Sequence, residues 1–456
     1  MGMKKVTRLF FNLAVLGCGF QAMADSDVMP SVESIVREIK APQIPANDFN
    51  VSDYINHDMA KAPIDIRDAV IKAINDAADA GGGRVIVPQG KWLVNGPIHL
   101  KSNIDLHISE GAHLLFSAKP EHYLPVVKTR WEGTEMFGYS PFIYAHNVHD
   151  IAITGTGIID GNENSEFFSW HPQEKSDQLA LRKMGINGVP VSQRQFGEGH
   201  LLRPSLIQII GAERVLLEGY ETRNSPFWVN HLVYTTHATV RDLKVNSHHA
   251  NNDGVDVDSS SWVLIEGNVF RTGDDSIVVK SGRDRDGRDV GVPSEYIVVR
   301  NNDMGGEDGI ALGSEMSGDI RYVWFTNNIL RSGVSAVRFK ANMDRGGIVE
   351  HIRVSDLQVE AFDSLFWFQL NYPGELDGKH PSRYRDIVFH NVTVEKAGMF
   401  LEVHGPDEIP VEDLVFRNVT VTKAEHQMTL ENVKNLVFDN VSVNGQRING
   451  ALDWHK

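Results

Sequence analysis

The sequence predicts an all-β solenoid: one domain built by coiling short strands, with a single helix over its N-terminal end. Three observations carry that reading. Segments of one form recur along the second half, among them SWVLIEGNVFRTGDD, IRYVWFTNNILRSGV, YRDIVFHNVTVEKAG and VEDLVFRNVTVTKAE. Each opens on polar residues and runs through an alternating apolar strand, an Asn or Asp corner and a second short strand. The spacing, roughly 22–28 residues, fits solenoid coils. Glycine is abundant, at 40 of 456 residues, and with the recurring Asn it favours turns over long helices. Finally, a stretch of clear helical periodicity stands just ahead of the strands.

Taken along the chain, residues 1–24 read as an export signal. Lys4, Lys5 and Arg8 precede a short apolar run over residues 9–20, and Ala22-Met23-Ala24 supplies a cleavage site. The run is too short to span a bilayer, and no later stretch is long enough, so no transmembrane segment is expected. The destination is periplasmic or extracellular. Cys18 is the sole cysteine; Val15-Leu16-Gly17-Cys18 has features of a lipoprotein attachment site, though Leu16 fits it poorly. Cleavage after Ala24 leaves a mature chain with neither disulfide nor catalytic thiol.

Residues 25–51 are polar and aperiodic, and a flexible leader is expected there. The domain proper is taken to run over residues 52–456. Over residues 66–80, Ile66, Ala69, Val70, Ala73, Ile74 and Ala77 recur at helical spacing, with Asp65 to cap the start and Gly81-Gly82-Gly83 to stop the helix. Placed there, it can cover the open end of the solenoid and its unpaired strand edge. Short strands follow from residue 84. Asn268, Asn328, Asn391, Asn418 and Asn440 are candidates for a ladder of corner residues, since Asn tolerates left-handed backbone and hydrogen-bonds locally. A sandwich of repeated hairpins is the alternative, and the steady coil period argues against it. Residues 163–202, with Phe167, Phe168 and Trp170, and residues 283–293 break the rhythm and read as loops over one face, a usual place for binding residues.

The net charge of −16 argues against nucleic acid as a partner, because phosphate binding needs basic surface. It leaves open an acidic substrate at a locally basic site. A monomer is expected.

Chemistry concentrates in residues 247–282. Asp253 lies in Asn251-Asn252-Asp253-Gly254, and Asp274-Asp275 follows Gly273, about one coil later. On neighbouring coils Asp253 and Asp274 would stack about 4.8 Å apart at the backbone. An Asp pair in a turn is usually a solvated corner; the phase with Asp253 is what gives this one weight. Glycoside hydrolysis needs one carboxylic acid to protonate the leaving oxygen and a second carboxylate to activate water or attack, and crowding like charges keeps one of them protonated. Arg338-Phe339-Lys340 places two cations on one face of a strand, where they can clamp an anionic group. Lys280, Arg283, Arg285 and Arg288 can add positive charge, although Arg285 and Arg288 alternate with acids and can equally neutralise their own loop. Of the tryptophans Trp131, Trp170, Trp228 and Trp367, only Trp170 is expected to face a sugar. His231, His248 and His249 read as structural, and no metal or cofactor is expected.

These residues sit among stretches that together resemble glycoside hydrolase family 28, the polygalacturonases and their relatives. They include GGGRVIVPQG, GPIHLKSNIDLHISEGAHLLFS, ITGTGIIDG, GVPVSQRQFGEGHLLRPSLIQ, NSPFWVNHLVY, NNDGVDVDSS, TGDDSIVVKSGRDRDGR, GSEMSG and RFKANMDRGGIVE, and they cover nearly everything after residue 65. The chain is most similar to bacterial members that act from chain ends. The resemblance implies a right-handed parallel β-helix that hydrolyses an acidic, galacturonate-type polysaccharide or oligosaccharide. It implies Asp274 as general acid, and Asp253 and Asp275 as the pair that holds and activates water, giving inversion. Arg338 and Lys340 would bind the substrate carboxylate, and Tyr372, in LNYPG, would lie near the cleaved sugar. Lys280, Glu307 and Asp308 are added as substrate-binding candidates. One departure stands out: Gly306-Glu307-Asp308-Gly309 occupies the place of a family Gly-His-Gly. An added carboxylate there would raise the acid's pKa and repel a uronate. A different anionic glycan, such as a rhamnogalacturonan or a sulfated galactan, follows most directly; a dispensable histidine or a weakened enzyme are the other readings. A polysaccharide lyase and a non-catalytic polysaccharide-binding solenoid are the rival functions.

Overall fold

The computed structural model describes residues 29–55, 64–376 and 378–455. The expected export signal and Cys18 lie outside the described residues. The chain is the expected right-handed parallel β-helix: along the coils, strands pair in parallel with the strand one coil before and one coil after. Three ribbons of sheet result. Sheet 1 contains Val255–Asp258, Ile277–Lys280 and Asp308–Leu312. Sheet 2 contains Ser261–Glu266, Ser294–Arg300 and Ile320–Thr326. Sheet 3 contains Val269–Thr272 and Asp303–Gly305, and continues into Ile329–Lys340. Alternate side chains point inward, so Val255, Val257, Ile277, Val279, Ile310 and Leu312 stack coil on coil with no exposure. Their outward neighbours on sheet 1 are free to carry chemistry.

The corner ladder is real but double. Asn268, Asn302 and Asn328 form a buried ladder, with Asn268 Nδ2 donating to Asn302 Oδ1 at 2.9 Å and Asn302 Nδ2 to Asn328 Oδ1 at 3.0 Å. Asn391, Asn418 and Asn440 form an outer one at φ 54°, 52° and 55°. In the early coils Gly267, Asn301 and Asn327 take the left-handed position, and the buried Asn follows it. From Leu357 and Val392 onward an apolar residue replaces that buried Asn, and strands run unbroken across the corner, as in Ile348–Gln369.

Helix α1 (Val32–Glu38) corrects the expectation of a flexible leader. Ser31 caps it, accepting from Ser34 N at 3.2 Å, and Ile35 packs with Leu264 and Val298 on the outside of sheet 2. Val32, Ile35, Val36 and Ile39 already had helical spacing. Helix α2 (Arg67–Asp79) buries Val70, Ala73, Ile74 and Ala77 against the first coil, and Asp65 Oδ1 accepts from Arg67 N at 3.0 Å. Gly81, at φ 92°, ends it. At the other end, Gln446–Trp454 folds back antiparallel on Val433–Val443. The segment 163–202 is not only loop: it holds α3 (Lys175–Ile186), and residues 283–293 hold α4 (Asp284–Val290). Trp131, Met136, Leu181, Phe196, Leu202, Phe227 and Trp228 form a separate apolar cluster that fixes this layer over sheet 1. Among the described residues, no helix is long and apolar enough to cross a membrane.

Candidate active site

Register builds the site. Val255 pairs with Ile277, and Ile277 with Ile310. Two residues upstream, therefore, Asp253, Asp275 and Asp308 stand in line on three successive coils. The pairing across coils is Asp253 with Asp275 rather than with Asp274, which sits one residue earlier and turns toward solvent. Asn252 holds the first turn, donating to Ser225 O at 2.9 Å and Phe227 O at 3.1 Å and accepting from Ser247 Oγ at 2.6 Å. Gly273 lets the second turn lie against it, because a Cβ there would meet His249 O at 2.3 Å. One carboxylate oxygen from each of Asp253, Asp274 and Asp275 lies within 4.8 Å of the others.

The outward positions of sheet 1 supply the counter-charges. Lys340 Nζ donates to both oxygens of Asp275, at 2.9 and 2.7 Å, and to Asp308 Oδ2 at 3.3 Å. Lys280 Nζ lies 3.5 Å from Asp253, 3.7 Å from Asp256 and 3.3 Å from Glu315, with the Trp228 ring beneath it at 4.3 Å. Arg338 donates to Asp308 at 3.1 Å and to Gln369 at 2.7 Å, and stacks 4.1 Å from the Trp367 ring.

These neighbours separate the carboxyl groups. Burial, with Asp275 next to it, pushes Asp274 up to about 7. Burial also pulls Asp275 upward, but the Lys340 and Lys280 ammoniums outweigh it and hold the group below the usual range. Asp253 is driven well up by burial and by Asp256 and Asp274, and Asp256 likewise by burial. Both carboxyls of this buried pair are thus biased toward the protonated form. Of the three expected catalytic aspartates, Asp275 is the one kept ionised, while Asp274 and Asp253 both hold a proton in mild acid.

Asp274 and Asp275 face a cavity of about 290 Å³, also lined by Asp253, Lys280, Lys340 and Tyr372. Paired charges complete its lining. Arg182, from α3, pairs with Glu375 and, at 2.5 Å, with Glu132. Arg283 pairs with Glu315 and Glu375, each at 2.9 Å. Arg203 pins this layer to the turn that carries Asp253: it binds Glu174 through two bonds of 2.8 Å and reaches Asn251 Oδ1 at 2.7 Å.

The structure thus brings Asp253, Asp274, Asp275, Lys280, Arg338, Lys340, Asp308 and Tyr372 together. Glu307 does not join them; its side chain is exposed beside the cluster. Trp170 is not in the cavity either but packs on Tyr139 and Phe167, while Trp228, expected in the core, lines the cavity. Arg285 pairs with Asp289 within α4, and Arg288 binds the carbonyls of Asp344 and Arg345. Asp256, Glu315, Glu132, Arg182 and Glu375 were missed. Only Asp256 had a signal, since the alternation Val-Asp-Val-Asp over residues 255–258 puts acids on the outward face of a strand.

A family model described as glycosyl hydrolases family 28 matches residues 126–443. A hyperthermoactive exopolygalacturonase from Thermotoga maritima, known from its crystal structure, is 36% identical; the match covers 92% of this chain and 98% of that one, with a TM-score of 0.87. A probable polygalacturonase from Vitis vinifera is 28% identical over 71% of this chain, which spans 65% of that relative's length. A family 28 exopolygalacturonase from Yersinia enterocolitica shares the fold at a TM-score of 0.69 and 23% identity, over 90% of this chain and 77% of that one.

Proposed function

Because the chain belongs to family 28 of the glycosyl hydrolases, we propose that this glycoside hydrolase removes single acidic sugars from the end of a galacturonate-type pectic chain, by attack of water assisted by an acid. The observation that carries the exo reading is the cavity wall: the ion pairs Arg182–Glu132, Arg182–Glu375 and Arg283–Glu375 tie helix α3 and the loop at Glu375 together around the same cavity that Asp274 and Asp275 line. About 290 Å³ is at the low end of small-molecule sites, a space for one sugar ring.

Asp274 protonates the departing oxygen. Its carboxyl is part-exposed to the cavity and holds its proton up to about pH 7, near the working range of a general acid. Asp275 takes the proton of the attacking water, and Asp253 helps hold that water. Lys340 and Arg338 meet the carboxylate of the sugar. Inversion is supported by the state of Asp275: it is held ionised, able to accept a proton from water, while both its oxygens are engaged by Lys340, which makes direct attack on a sugar unfavourable. One observation favours retention instead. Oxygens within 4.8 Å are closer than the roughly 6.5–9.5 Å usual in inverting sites and near the roughly 5–5.5 Å of retaining ones.

The test is incubation with oligogalacturonides, rhamnogalacturonan fragments and sulfated galactans, with the products separated by size. The proposal expects a monosaccharide as the sole early product, from uronic acid substrates. Mixed oligomers would overturn exo action. Products with an ultraviolet-absorbing double bond would establish a lyase, and inactivity on every uronic acid substrate would refute the galacturonan reading.

A further inference from the structure

Asp308 has no role in the scheme above, yet it belongs to the same cluster of charges, at the end of the row begun by Asp253 and Asp275. It is fully buried and aligned with Asp275 one coil away. The groups that face it come from each neighbouring element. Lys340 and Arg338, on the next coil, donate to it at 3.3 and 3.1 Å. Asp275, on the previous coil, is close enough to share a hydrogen bond with it, which requires a proton between the two carboxyls. Ser335, directly across in register, has a buried hydroxyl with no protein partner. Glu307, its chain neighbour, is exposed. The two cations that would receive a sugar carboxylate are thus already bound to a carboxyl group of the protein.

We propose that Asp308 is a specificity-determining residue that competes for Arg338 and Lys340, so that an acidic sugar binds there only when Asp308 carries a proton, whereas a sugar with a neutral C6 group binds in either state. The proposal rests on the reading of a galacturonate-type substrate. Ionised Asp308 neutralises the clamp and adds a second negative charge beside Asp275. Protonated Asp308 donates to Asp275, leaves Lys340 to Asp275, and frees the Arg338 guanidinium for the incoming carboxylate. Burial and the neighbouring Asp275 push Asp308 up to about 7, which puts the change inside the working pH range. Its effect falls on binding, whereas deprotonation of Asp274 in the same range falls on turnover, so the two separate as KM against kcat.

The experiment uses the full chain carrying Asp274→Asn, which binds without turnover, and calorimetry with digalacturonate and its methyl diester in two buffers of different ionisation heat. The acid should bind about fivefold more weakly at pH 8 than at pH 7, approaching tenfold per pH unit beyond, and take up about one proton at pH 8. The diester should show neither effect. Adding Asp308→Asn should abolish the proton uptake and flatten the pH dependence for the acid. Asp308→Ser repeats the test with a smaller neutral group, should asparagine disturb the packing. Persistent proton uptake in either double variant, or equal pH dependence for acid and diester, overturns the role of Asp308 alone. Failure of the Asp274→Asn protein to bind either ligand at any pH overturns the galacturonate reading, and this proposal with it.

Discussion

Replacing Asp274 with Asn removes the group assigned as acid, and its effect on stability can be worked from the site. In the unfolded chain an Asp titrates near 4; here burial and Asp275 raise it to about 7. A carboxyl raised on folding favours the native state while both states are protonated, and that advantage is lost as pH rises from about 4 through 7. Three pH units correspond to roughly 4 kcal/mol at most. Asp274 is part-exposed to the cavity, and water tempers the penalty to on the order of 2 kcal/mol at pH 8. Asn carries no charge to desolvate. Asp274→Asn should therefore be about as stable as the parent at pH 4 and about 2 kcal/mol more stable at pH 8. For a chain of 456 residues, an unfolding entropy of about 2.1 cal/mol/K per residue makes that roughly 2 °C in Tm. Differential scanning calorimetry at the two pH values measures it, and turnover should fall by about 10²–10⁴. An equal shift at both pH values, or a loss of stability at pH 8, would refute the assignment of a buried, proton-holding Asp274.

Other sites give further tests. Lys340→Met strips Asp275 of its two ammonium bonds, so the acidic limb of the kcat/KM profile should move up by about 1 to 3 pH units; an unmoved limb would mean that Asp275 is not the base. Arg203→Met leaves buried Glu174 with only His171 beside it, and denaturant titration should show a loss of about 3 kcal/mol together with impaired catalysis, because Asn251 loses its support. Arg182→Ala breaks two of the ion pairs that line the cavity, and oligomers should join the monosaccharide among early products on size separation. A product pattern limited to monosaccharide in that variant would place the exo determinant elsewhere.

The coil period and the Asp253, Asp274, Asp275 cluster were legible because a solenoid turns sequence spacing into spatial stacking. A pattern visible along the chain is then a pattern along the axis. The same rule exposed Arg338 and Lys340 and could have exposed Asp256. It misassigned the partner of Asp253 by one residue, since the exact corner length decides which Asp faces across, and Asn251-Asn252 sets that length through backbone bonds. It read one Asn ladder where there are two, because a residue in left-handed backbone and the buried Asn after it look alike in sequence. The cavity wall was out of reach. Arg182 meets Glu375 across 193 residues of chain, between a helix and a loop that follow no coil period. Nor does sequence order show that Lys340 engages Asp275 at 2.7 Å and makes no hydrogen bond to Asp274, the difference on which the proposed base and acid are told apart.

The most direct test of the central claim is proton NMR of the first sugar released from an oligogalacturonide, recorded before the anomers equilibrate. The account predicts a single early product, galacturonate monomer, in the anomeric form opposite to the bond cleaved, with Asp275 activating water and Asp274 supplying the proton. Release of the monomer with its original configuration would show that a carboxylate attacks the sugar directly, and the division of roles between Asp274 and Asp275 would fall.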